Sequence, residues 1–160
     1  MLCFKGENIN KLNYMNLKSL ILSALVLSVS VNQVSAAETL KSATKGKFLM
    51  GVAINMNQVN GNNPVQSEII KEQFQAIVAE NCMKPQPMQP VEGQFKYDDA
   101  DKFVAFGEKN KQVITGHCLI WHSQIPRWFF VDSEGKNVSP EVLKERMRTH
   151  ILTVVGRYKG

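Results

Sequence analysis

The stretch QVITGHCLIWHSQ, from Gln112 to Gln124, decides how the rest of the chain reads. Val113, Ile114 and Thr115 are all β-branched, the shape that packs well in a strand. The pattern predicts a strand over Val113–Leu119. Gly116 interrupts the β-branched run, and His117, Trp121, His122 and Gln124 follow within eight residues. Polar and aromatic groups gathered where a buried strand stops are how an α/β barrel builds a site at the C-terminal face of its strands.

Working back along the chain, Ala76–Ala79 (AIVA) is a second short apolar run, and it stops at Glu80-Asn81. Phe48–Ile54 (FLMGVAI) is a third. Neither alternates polar with apolar, as expected of strands buried on both faces. Amphipathic segments separate these runs. Ser67–Gln75 carries Ile69, Ile70 and Phe74 at helical spacing. Asp98–Asn110 carries Phe103, Val104 and Phe106, with Asp98 or Asp99 as its cap. Between them, Pro85, Pro87 and Pro90 predict a stiff, irregular loop over Lys84–Gly93. Asn55–Pro64 and the aromatic segment Ile125–Asn137 also read as loops. Ser139-Pro140-Glu141 starts a last helix that runs to about Tyr158, with Val142, Met147, Ile151, Val154 and Val155 facing inward. The order β-α-β-α-β-α predicts a parallel sheet with helices outside. Its crossovers are right-handed.

The first 36 residues read differently. Met15-Asn16-Leu17-Lys18 is a short positive start, Ser19–Val31 an apolar run, and Val34-Ser35-Ala36 a set of small residues before Ala37. This order predicts a secretory signal peptide, with residues 1–14 a misplaced gene start. The apolar run is too short for a membrane span, which needs roughly 20 residues. Residues 37–47 then form a polar lead-in, and 48–160 the folded part. Secretion follows as an expectation: extracellular, or periplasmic or cell-surface in a bacterium, with no membrane contact after cleavage.

An apolar content of 44% with 21% charged residues describes a soluble globular chain, not a disordered one. The formal charge is +5, and part of it lies in the leader, where Lys5, Lys11 and Lys18 face only Glu7. After Ala36, 16 basic against 13 acidic residues leave +3. These charges are interleaved, with no basic stripe, which argues against a nucleic-acid partner. Cys82 and Cys118 read as two buried free thiols. No CxxC or HExxH occurs, and His117 and His122 do not have a zinc spacing, so no metal and no cofactor is expected.

Glu80, Asn81 and Lys84 place a carboxylate, an amide and an ammonium within five residues. That mix of donors and acceptors suits a neutral polyol. The alternative is that Glu80 and Lys84 simply pair with each other. His117 and Gln124 can bond hydroxyls, and the face of Trp121 can pack on the apolar face of a sugar ring. The alternatives are a satisfied core His and a core aromatic, and for His122 the structural role is preferred. Asn137-Val138-Ser139 fits a glycosylation acceptor, relevant only in a eukaryotic secretory route.

The stretches FLMGVAIN, VAENCMKPQPMQPVEGQFKYDDADKFVAFGEKN and ITGHCLIWHSQIPRWFF resemble glycoside hydrolase family 10, the endo-1,4-β-xylanases, from about Phe48 to Gly160. The resemblance implies a (β/α)8 TIM barrel, of which this chain supplies the first three βα units. It also implies an extracellular enzyme that hydrolyses xylan with retention of configuration. By position, Glu80 and Asn81 match residues holding the sugar two subsites from the scissile bond on its non-reducing side. Lys84 matches a Lys between that subsite and the next. His117 and Trp121 match residues around the sugar beside the scissile bond, and Gln124 one that reaches the outer subsite. Cys82 departs from the family pattern, where a polar or small residue is usual.

The family's two catalytic Glu lie at the ends of the fourth and seventh strands, so both are expected beyond Gly160. The chain is therefore read as an incomplete barrel awaiting its C-terminal half. It is expected to be inactive by itself, and unstable or dimeric through two open strand edges. A non-catalytic xylan-binding fragment is the alternative reading. A different secreted polysaccharide hydrolase is a third, disfavoured by the length of the continuous match.

Overall fold

The computed structural model describes residues 38–159. The leader read at 1–36 lies outside the described residues. Three parallel strands form one sheet in the order β1 (Gly51–Ile54), β2 (Ala76–Ala79), β3 (Val113–Thr115). Gly51 pairs with Ala76 and Ile54 with Ala79. Ala76 pairs with Val113 and Val78 with Thr115. The strands are parallel and consecutive, so each crossover carries helix. Single turns α1 (Leu40–Ala43) and α2 (Met56–Val59) precede α3 (Pro64–Gln73), which leads into β2. Another single turn, α4 (Pro85–Met88), and then α5 (Asp98–Lys109) lead into β3. A 3-10 turn (Arg127–Phe129) and α6 (Pro140–Tyr158) follow.

The core lies between the sheet and its helices. Ile54, Ile77 and Ala79 from the strands meet Ile70, Ala100, Phe103 and Val154 from the helices, all buried. Apolar burial of this kind is the main favourable term in folding. Gly107 lets α5 approach the sheet closely. A Cβ there would lie 2.5 Å from Ile114 Cγ1 and 3.0 Å from Ile77 Cδ1. Among the described residues no helix is long and apolar enough to cross a membrane.

Several local expectations are corrected. The first strand starts at Gly51, and Phe48 and Leu49 are 60% and 59% exposed. The reason is Gln75. Its Oε1 accepts from Met50 N at 2.9 Å, while its Nε2 donates to Lys41 O and Thr44 Oγ1, so a side chain takes the Met50 N–H and ties it to α1 and its C-cap. The third strand ends at Thr115, not Leu119, and the His117–Cys118 peptide is cis. The second helix of the lead-in to β2 begins at Pro64, capped by Asn63, not at Ser67. The proline-rich loop holds the helical turn α4, with Pro85 and Pro87 in its first turn, where backbone N–H groups have no helical partner to lose. Neither Asp98 nor Asp99 caps α5. Tyr97 occupies that position, and the acids lie in the first turn, favourable to the helix dipole.

The last helix differs most. Ser139 caps it as expected, accepting from Val142 N. Val142 and Val155, expected inward, are exposed, and His150 is buried instead. Arg146, His150, Val154 and Tyr158 form an i, i+4 line on the inner face. Apolar periodicity could not reveal a line that is three-quarters polar. Cys82 is buried and Cys118 only half-buried, a correction to the expectation of two buried thiols.

Candidate functional site

The strand ends carry the polar groups. Glu80 follows β2 directly, and its backbone N donates to Ile54 O at 3.0 Å, extending the ladder by one step. Its exposed carboxylate accepts from Asn55 Nδ2 at 3.0 Å through Oε2. Asn81 is also exposed, and its Oδ1 accepts from Lys84 Nζ at 2.9 Å. The turn that makes this possible is closed by Lys84 N donating to Asn81 O at 3.0 Å. Lys84 thus turns to the neighbouring amide rather than to Glu80, which settles the pairing left open by the sequence.

Lys84 is only 6% exposed, and its ammonium stands 4.9 Å from the centroid of the Trp121 ring. An ammonium over an indole face is a favourable cation–π arrangement. This contact brings the loop after β2 against the loop after β3. Trp121 meets His117 edge-on at 6.3 Å between ring centroids. His122 meets the same indole at 5.3 Å, an aromatic contact in keeping with its structural reading. A backbone bond ties the two loops further: Gln86 N donates to Gln124 O at 3.0 Å. Gln124 holds φ at +51°, a left-handed conformation uncommon outside glycine.

Glu80, Asn81, Lys84, His117, Trp121 and Gln124 therefore share the C-terminal end of the sheet. Lys84 and Trp121 touch directly, as do Asn81 and Lys84, and His117 and Trp121. Glu80 directly precedes Asn81 and is tied to β1 through Ile54 O, and Gln124 O accepts from Gln86 N of the loop after β2. Among the described residues neither charged group has an oppositely charged partner within ion-pair distance. Glu80 is held by an amide, and Lys84 by an amide and a ring face. Both keep hydrogen-bonding capacity for hydroxyls.

The thiol of Cys82 is pushed up to about 11 by burial and by the negative charge of Asp99. It stays protonated at neutral pH and is no nucleophile. Among the described residues no group of three or more His, Cys, Asp or Glu could hold a metal ion.

Behind the site, the aromatic segment is pinned by polar bonds. Trp128 Nε1 donates to Gln89 O at 3.0 Å. Arg146 donates to Glu92 through two nitrogens at 2.7 and 2.9 Å, and also to the carbonyls of Trp128 and Val131. Sequence reasoning missed Arg146, His150 and Asn55. The first two carried no short-range signal. Asn55 did: it is the polar residue at the end of FLMGVAIN, in the same strand-end position as Glu80.

The Glycosyl hydrolase family 10 model matches residues 39–160. Endo-1,4-beta-xylanase A of Xylanibacter ruminicola is 44% identical over 135 residues, covering 84% of this chain and 36% of that protein. Endo-1,4-beta-xylanase A of Halalkalibacterium halodurans is 40% identical over 124 residues, covering 71% and 31%. Among solved structures, a psychrophilic family 10 endo-beta-1,4-xylanase superposes with a TM-score of 0.71 at 42% identity, over 77% of this chain and 37% of that one. The intracellular xylanase TsXylA of Thermoanaerobacterium saccharolyticum, in the complex of a mutant with xylotetraose, gives 0.71 at 40% identity, over 75% and 37%. The chain thus spans about a third of the length of these relatives. Its three parallel βα units are those of a partial TIM barrel. From the strand order, the site at the strand ends and these matches together, the chain belongs to glycosyl hydrolase family 10.

Proposed function

We propose that this chain is the N-terminal part of a secreted endo-1,4-β-xylanase and supplies the grip on the non-reducing side of the substrate. Glu80 and Asn81 hold hydroxyls of the xylose two subsites from the scissile bond. Lys84 donates between that sugar and the next. Trp121 packs on the ring beside the scissile bond, His117 bonds one of its hydroxyls, and Gln124 reaches the outer ring. The observation that carries this reading is the Lys84–Trp121 contact, which joins the two strand-end loops in one polar and aromatic surface.

Retaining hydrolysis needs two carboxyl groups about 5–5.5 Å apart, one as acid/base and one as nucleophile. In this reading both lie beyond Gly160, at the ends of the fourth and seventh strands. Glu80 is not one of them, because its role is to accept from a hydroxyl. Residues 37–160 alone therefore leave xylan intact. The open edges of β1 and β3 make that fragment unstable or dimeric. The leader read at residues 1–36 directs secretion.

The test is a reducing-sugar assay on xylan beside calorimetric titration with xylotetraose. It uses the full polypeptide that the reading frame encodes and the fragment 37–160. Hydrolysis by the full polypeptide, and none by the fragment, is the expected result. Hydrolysis by the fragment, or a monomeric two-state melt of it, overturns the incomplete-barrel reading. A full polypeptide that neither binds nor cleaves xylo-oligosaccharides overturns the functional one.

A further inference from the structure

Asn55 stands where β1 stops, beside Glu80. The ladder reaches them in step: Ile54 pairs with Ala79, and Glu80 N donates to Ile54 O at 3.0 Å. Both ends of the Asn55 side-chain amide are engaged. Oδ1 accepts from Asn57 N at 2.9 Å and so caps α2. The backbone N of Asn55 donates to Gln58 Oε1 at 2.9 Å, closing a capping box. Gln58 is itself held, by its Nε2 donating to Gln66 Oε1 at 2.9 Å and its carbonyl accepting from the buried Ser67 at 2.8 Å.

With Oδ1 committed to the cap, Nδ2 is left to face Glu80 Oε2 at 3.0 Å. The helix cap thereby fixes an amide orientation that is otherwise ambiguous. A Glu side chain loses several rotatable bonds when a ligand immobilises it. Pre-ordering it in the free protein removes that loss from the binding step.

We propose that Asn55 is a positioning residue for sugar recognition: it fixes the Glu80 carboxylate through Oε2 and leaves Oε1 to accept a hydroxyl proton of the pentose chain. The proposal rests on the reading of Glu80 as a sugar-binding residue, and it adds a specific donor on β1 to that site. Asn55 touches no sugar and acts through Glu80.

Asn55→Ser and Asn55→Asp separate this role from helix capping. Both keep an oxygen that caps well. Asp has no donor when ionised, and the Ser hydroxyl, one atom shorter than the amide Nδ2 and turned to the cap, does not reach Glu80 Oε2. The full encoded polypeptide is used, with xylotetraose as the probe. Asn55→Ser is expected to raise Kd and KM about 5- to 10-fold while kcat stays within about twofold, the size of ordering one rotamer-rich side chain on binding. Asn55→Asp is expected to lose more, because two carboxylates then face each other. In a Glu80→Ala background neither substitution weakens binding further.

A ligand-free readout accompanies these. Three-bond couplings across χ1 of Glu80 report one rotamer in the parent and averaging in Asn55→Ser. Parent-like binding by both variants, equal losses in the Glu80→Ala background, or unchanged couplings overturn the proposal. If the parent itself does not bind xylotetraose, the functional reading fails, and the couplings alone decide whether Asn55 fixes Glu80.

Discussion

Two regions of this molecule use the same kinds of side chain to opposite ends. At the strand ends, Lys84 is buried against an amide oxygen and an indole face, with no carboxylate beside it. Along the inner face of α6, Arg146 makes a two-point pair with Glu92 and also serves backbone carbonyls of the aromatic segment. One cation keeps its hydrogen-bonding capacity available; the other has spent it on the fold. The difference teaches that burial of a charge does not by itself separate function from structure. The partner does. A buried cation with a neutral partner keeps donors for the ligand of the proposed function, whereas one with a carboxylate and carbonyls is a staple.

The comparison is broken most forcefully from the structural side. Phe129 is fully buried, stacked on Trp128 and edge-on to His150. Phe129→Ala is expected to destabilise the fold by about 3–5 kcal/mol, the range for emptying a buried aromatic site. Chemical denaturation of the full polypeptide reads this directly. Arg146→Met comes next. It keeps the apolar stem but removes the pair with Glu92 and the bonds to the carbonyls, an expected loss of about 2–3 kcal/mol. If Arg146→Met instead left stability intact and lowered xylotetraose affinity, the division between the two regions would be wrong.

The strand-end region is expected to answer in the opposite way. Lys84→Met retains the stem over Trp121 and deletes the ammonium. Its expected effect on stability is below about 1 kcal/mol, because the lost partner is one neutral amide that can turn to water. Its expected effect on kcat/KM is a fall of roughly 10-fold or more, since in the proposed function the donors it removes go to substrate. Melting temperature and kcat/KM measured on one preparation give both numbers. A large stability loss without a kinetic effect would place Lys84 with Arg146 among the staples.

The parallel α/β fold was legible because its signals are local. AIVA and VIT are short apolar or β-branched runs bounded by polar residues, and the helices between them carry apolar periodicity. The clustering of the candidate residues was legible for the same reason: Glu80, Asn81, Lys84, His117 and Trp121 sit within a few residues of a strand end, where parallel topology brings them together. What was not legible depends on partners far apart in sequence. Gln75 replaces a strand partner for Met50, which no pattern in FLMGVAI announces. His150 faces inward because Gln89 waits for it, 61 positions away. Asn55 was passed over as a loop residue, although its strand-end position obeyed the rule that found Glu80.

His150 supplies the smallest expected effect and the finest test of the contrast. Its ring is buried between Phe95 and Phe129, with Nδ1 2.8 Å from Gln89 Oε1. Its Nε2 has no partner among the described residues. Burial pushes its pKa below the ordinary value of 6.5, because the cationic form loses hydration that nothing replaces. The folded protein therefore binds this proton less readily than the unfolded chain. The resulting stability is fully present above pH 6.5 and declines as the pH falls below it, through the lowered folded value. Unfolding free energy measured between pH 7.5 and pH 5 should fall more steeply in the parent than in His150→Gln, which keeps a polar contact for Gln89 and does not titrate. Xylotetraose affinity over the same range should keep the same pH profile in parent and variant, because His150 lies behind the aromatic segment and not at the strand ends. A parent whose stability curve matches that of the variant would mean that the ring takes up a proton in place, and that this inner face is less dry than its aromatic neighbours imply.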